Sequence, residues 1–130
     1  MAAAWRLAVI VLAGLSFILA HEFGHWIAAE SYSLNPTFVW GGASSGLLGL
    51  SIGVMHMPAT PVQQTVIILG ATMLPLILMV MMAGIAHLNR SETAALFAEV
   101  WMLLIFVNLV PIPGNGQLDA NKIWSVVFPS

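Results

Sequence analysis

His21, Glu22 and His25 fall within five consecutive residues, His21-Glu22-Phe23-Gly24-His25. Two histidines four apart share one face of an α-helix, so both imidazoles can meet on one metal ion. The glutamate between them comes close enough to take a proton from a water held by that ion. This H-E-x-x-H spacing therefore suits hydrolysis by metal-activated water. The setting sharpens the point, because residues 7–20 are apolar apart from Ser16. Ionisable side chains in such a helix are costly to bury and by default mark function. The structural reading would have the histidines bond neighbouring helices and Glu22 pair with a base. Only three Lys and Arg exist in the chain, none of them near Glu22 in sequence.

The elements that must carry this group are membrane elements. The 130 residues are 60% hydrophobic and 6% charged, with a mean hydropathy of +0.98; soluble domains carry about 25% charged residues. So little charge cannot coat a water-exposed surface, and we expect an all-α integral membrane protein forming a single domain over residues 1–130. Net charge is −2 and no basic patch is present, which argues against nucleic acid as a partner. There is no cysteine, so disulfides and thiolate chemistry are excluded and a metal must be held by His, Asp or Glu. The n-region ahead of the first apolar run is almost uncharged, and cleavage after Ala20 would leave His21 first. We therefore expect that run to be retained rather than removed as a signal peptide.

Three spanning helices are expected, at about residues 4–29, 62–88 and 91–110. His21 lies ~25 Å along the first, nearer the second membrane face. Pro75 should kink the second helix, and Ser91 is placed to cap the third. Residues 31–61 differ in kind, being rich in Gly and Pro. Thr37-Phe38-Val39-Trp40 has strand character, the Gly41–Gly46 stretch is a turn signal, and the apolar residues 47–57 are too few to span as a helix. This segment reads as a re-entrant β-hairpin or loop, which at membrane depth must be shielded by protein or line a wet cavity. Pro111 and Pro113 break the third helix, and a short C-terminal helix follows within residues 111–130. An odd number of crossings puts Arg6 and Arg90 on one side and Lys122 on the other, too few charges to fix orientation.

Two histidines do not complete a catalytic zinc site, which ordinarily takes three protein ligands and a water. The candidates for the third ligand are Asp119, Glu99, Glu30, Glu92, His56 and His87. Asp119 follows a helix break that can turn the chain back toward the histidines. Glu99 is ~12 Å into its helix and suits a ligand, an interfacial acid or a partner for Arg90. Glu30, Glu92 and His87 read as membrane-boundary residues, and His56 as a loop histidine.

His21-Glu22-Phe23-Gly24-His25 at the end of a first membrane helix resembles the site-2 protease family of intramembrane zinc metalloproteases. Asn108-Leu109-Val110-Pro111-Ile112-Pro113 looks like that family's second block, N-x-x-P-x-P leading into L-D-G, and the glycine-rich hairpin looks like its membrane re-entrant β-loop. The resemblance covers a minimal three-helix core, essentially the whole chain. It implies Zn2+ held by His21, His25 and Asp119, Glu22 as general base, and Asn108 near the reacting carbonyl. It also implies a transmembrane protein substrate in the lipid bilayer, unwound locally and held extended by an edge strand near residues 37–40. The chain departs from the pattern in two places. Asp119 follows Pro113 by six residues rather than two or three, and Ala120 stands where the family has glycine. A competing alignment puts Asn115-Gly116 at the Asp-Gly position; a neutral carboxamide is a poor zinc ligand, and that alignment would describe a dead enzyme. Leu118-Asp119-Ala120 keeps the family's flavour around the acid, and we expect Asp119.

Two further functions compete. One is a catalytically inactive relative serving as scaffold or partner within a larger membrane complex, favoured by the altered acid block and opposed by the intact Glu22. The other is a metal transporter, which would need polar residues along a path; residues 66–86 offer almost none.

Overall fold

A computed structural model describes residues 1–40 and 52–109. Their order is α1 (Ala3–Ser31), β1 (Thr37–Trp40), β2 (Ile52–Met55), α2 (Pro61–Asn89) and α3 (Glu92–Leu109). All three helices are long and apolar enough to cross a membrane. At ~1.5 Å per residue, the 29-residue α1 and α2 reach ~43 Å. That exceeds a hydrocarbon core of about 30 Å and leaves room for tilt. Their outward surfaces are greasy, with Leu12, Val80, Leu103 and Phe106 all more than half exposed. In water this would be a liability; in lipid it is the solvated face. Among the described residues no polar or charged side chain is fully buried.

The helix ends follow from local chemistry. α1 stops in a Schellman arrangement: the Ser33 N–H donates to the Glu30 carbonyl (2.9 Å) and the Leu34 N–H to Ala29 (3.1 Å). Ser33 takes the left-handed conformation (φ 55°) usually left to glycine. Leu34 is buried with Ala28, Ala29 and Ile67, the apolar contact that accompanies this motif. Thr60 and Gln63 form a reciprocal capping box at the start of α2, with Pro61 at its first turn. Arg90 (φ 52°) ends α2, and the Ser91 side chain accepts the Ala94 N–H (3.2 Å), the expected cap of α3. α2 runs on through Pro75, whose side chain is fully buried.

β1 and β2 pair antiparallel, with Thr37 opposite Met55 and Trp40 opposite Ile52. The strand expected at 37–40 is therefore present, and β2 falls inside the apolar 47–57 run. The glycine turn at 41–46 and everything after Leu109, including the Pro-rich break and short C-terminal helix, lie outside the described residues. The hairpin is rooted at the C-terminal end of α1, where the Met57 N–H donates to the Leu34 carbonyl (2.9 Å). Phe38 also stacks on Trp26 at 6.3 Å.

α1 and α3 run parallel in a fixed register. The Trp5 indole N–H donates to Thr93 Oγ1 (3.2 Å) and the Trp101 indole N–H to the Ala13 carbonyl (2.9 Å), both pairs 88 residues apart. The main core cluster, Ala13, Phe17, Trp101 and Ile105, keeps the same offset. The starts of α1 and α3 thus lie at one end, with Arg6 and Arg90 beside them, as the odd helix count required. α2 runs antiparallel to both and meets α1 at a second apolar cluster of Ala28, Ala29, Leu34 and Ile67. The histidine group lies between these two clusters.

Candidate metal centre

His21, Glu22 and His25 occupy the last third of α1, each half-buried. Their ligand atoms all lie within 4.8 Å of one another. Zinc bonds of ~2.0–2.2 Å put neighbouring ligand atoms roughly 3.5 Å apart, so the two imidazoles are near enough to share one ion, with the Glu22 carboxylate beside it. The two imidazoles, with a carboxylate beside them, are nitrogen and oxygen groups suited to zinc and to other first-row divalent metals. The residues present therefore fit a metal ion of that class.

Each imidazole is held by a different helix. The His21 ring stacks on Phe17 (centroids 6.1 Å, planes 27° apart). Phe17 in turn meets the edge of Trp101 on α3 at 5.7 Å and 84°. Trp101 is itself fixed by its buried hydrogen bond to Ala13, so α3 sets His21 through an aromatic column. His25 is tied to α2 instead: its Nδ1 lies 3.0 Å from the Ile67 carbonyl oxygen. A carbonyl only accepts, so Nδ1 carries the proton and, in the neutral ring, Nε2 is the unprotonated nitrogen that would ligate a metal. The two imidazole rings stand at 87° with centroids 5.0 Å apart.

α2 comes this close because two glycines face each other. A Cβ on Gly24 would overlap the Gly70 carbonyl and lie 2.8 Å from Ala71 Cα. One on Gly70 would lie 3.0 Å from the Gly24 oxygen and 3.1 Å from Ala28 Cβ. Small residues at such crossings let membrane helices pack backbone to backbone. The H-E-x-x-H spacing does not reveal that Gly24 serves this contact. The signal available was Gly24 with Ala28 four residues on, facing the Gly70-Ala71 pair. Phe17, one turn before His21, carried a comparable signal.

The other candidates divide clearly. Glu30, His87, Glu92 and Glu99 are exposed, and none joins the group among the described residues. Glu92 sits near the start of α1, 3.8 Å from the Met1 amine. His56 is half-buried and donates through Nδ1 to the Met57 carbonyl. Asn108 is half-buried near the end of α3. The 88-residue offset between α1 and α3, continued to the end of α3, pairs Asn108 with Ala20, the residue before His21. Asp119 and Asn115 lie outside the described residues.

No protein-family model, curated protein or solved structure matches the chain. The functional reading therefore rests on the site and its setting.

Proposed function

We propose that the chain is an intramembrane zinc metalloprotease of the site-2 type, cleaving a peptide bond in a transmembrane substrate helix. The observation that carries this reading is the convergence of His21, Glu22 and His25 within 4.8 Å on a 29-residue apolar helix. Imidazoles and a carboxylate are otherwise expensive guests in lipid.

In this reading His21 and His25 hold the zinc, with Asp119 returning from the C-terminal segment as third ligand. The ion supplies an acidified water and a polarised carbonyl. The Glu22 carboxylate takes the proton from the attacking water and delivers it to the departing amine. The Asn108 carboxamide, level with the ligands, donates a hydrogen bond to the developing oxyanion. The hairpin of β1 and β2 dips into the membrane as a re-entrant element and holds the unwound substrate as an added strand.

The scaffold reading draws its support from the acid block, where Asp119 falls six positions after Pro113 and Ala120 replaces glycine. One experiment separates the two. The full chain is co-expressed with a tagged single-span reporter whose helix carries an Asn-Gly break. The protease reading expects cleavage that Glu22→Gln lowers by at least about 100-fold, with bound zinc unchanged. Equal reporter processing by wild type and variant would overturn it.

A further inference from the structure

We infer that α2 is a positioning element for the metal centre. Gly24 and Gly70 bring the helices close enough for the Ile67 carbonyl to fix His25 as the Nδ1–H tautomer, which makes Nε2 the ligating nitrogen. The inference rests on the metal reading for its consequence, though not for its geometry.

The geometry has three parts that agree. First, His25 Nδ1 and the Ile67 oxygen are 3.0 Å apart across the α1–α2 interface, a hydrogen bond that only an Nδ1 proton can make. Second, the crossing leaves no room for a side chain at Gly24, and at Gly70 a Cβ is accommodated only if its neighbours give way by a few tenths of an ångström. Third, Gly24 precedes His25, and Gly70 lies three residues after Ile67, so close packing and hydrogen bond share one turn of each helix. The apolar pocket of Ala28, Ala29, Leu34 and Ile67 closes the interface from the hairpin side. Gly14 and Gly84, by contrast, have nothing within 4 Å of an added Cβ. The constraint therefore belongs to this crossing and not to glycine in these helices generally.

The consequence is chemical. A histidine free to choose its tautomer offers a metal the wrong nitrogen part of the time and must reorganise to bind. Outer-shell partners that lock the ring contribute about 10- to 100-fold in metal affinity. Ile67 supplies this through its backbone, so its side-chain identity is not what matters. Gly70 acts through His25 and touches no reacting atom.

The test uses the full chain in lipid vesicles with 15N-labelled histidine. In the metal-free protein the His25 ring, assigned by its loss in His25→Gln, is expected as the Nδ1–H tautomer. Gly70→Ala, the milder of the two glycine changes, is expected to mix in the Nε2–H form and to weaken zinc binding by about 10- to 100-fold. Gly14→Ala is expected to change neither. A His25 ring protonated at Nε2 in the wild type would overturn the inference, and so would a folded Gly70→Ala chain binding zinc like the wild type. The wild-type tautomer is read without metal, so it decides the inference even where Gly70→Ala does not fold. Failure of the wild type to bind zinc would instead sink the metalloprotease reading, and the two failures remain distinguishable.

Discussion

At the scale of single residues, the proposed function divides the labour between Glu22 and the two histidines, and substitution should separate the parts. His21→Ala and His25→Ala each remove a ligand and should leave the purified chain with little zinc, measured as metal per protein. His21 also has a packing role that His25 lacks, through Phe17 and Trp101. Trp101→Phe keeps an aromatic ring in the column but removes the indole N–H bonded to Ala13 together with part of the buried ring volume. It should cost about 1–4 kcal/mol in reversible unfolding from mixed micelles, the lost hydrogen bond and the void adding together. These roles were unevenly legible in the sequence. The ligand pair was readable, because a spacing of four on a helix fixes which side chains share a face. The Ile67 carbonyl that orients His25 lies 42 residues away on α2, and the Trp101 that backs Phe17 against His21 comes from α3, and no local spacing encodes that register.

Between helices, the weight falls on the crossing of α1 and α2. Gly24→Ala forces a methyl group into the Gly70 carbonyl, and should destabilise the helix pair by about 1–3 kcal/mol or more, as overpacking does. Gly84→Ala meets open space and should be neutral or stabilising by up to about 1 kcal/mol. Comparing the two in the same unfolding assay isolates the clash from the change in propensity. Hydropathy placed the three helices within one or two residues of their observed ends. Ser91 carries cap chemistry that a reader can see, while the Thr60–Gln63 capping box was found only in the structure. The strand at Thr37–Trp40 was legible from its β-branched and aromatic residues. Its partner was hidden, because an apolar run with two glycines suits a strand, a loop or a buried turn equally.

For the molecule as a whole, the arrangement is a parallel α1–α3 pair with α2 antiparallel between their ends and the hairpin at the site end. The absence of native cysteine makes this directly testable. Single substitutions Ala2→Cys and Asn89→Cys should be labelled by an impermeant thiol reagent from one side of sealed vesicles, and Met57→Cys from the other. Labelling of all three from the same side would break the three-crossing topology. The parallel register also explains how a residue near the end of α3 comes level with a motif near the end of α1. It puts Leu109 at the end where the histidines sit. In the proposed function, Asp119→Ala should lower zinc retention while Asn115→Ala leaves it intact.

The central claim is that a zinc ion is held inside the membrane by His21 and His25, and X-ray absorption at the zinc edge tests it most directly. Protein purified without added metal should carry about one zinc per chain in a four-coordinate nitrogen and oxygen shell. Two imidazole ligands should appear at about 2.0–2.1 Å, and this signature should vanish in the His21→Ala, His25→Ala double variant. Zinc absent from the wild type, or an imidazole shell that survives loss of both histidines, would contradict the account.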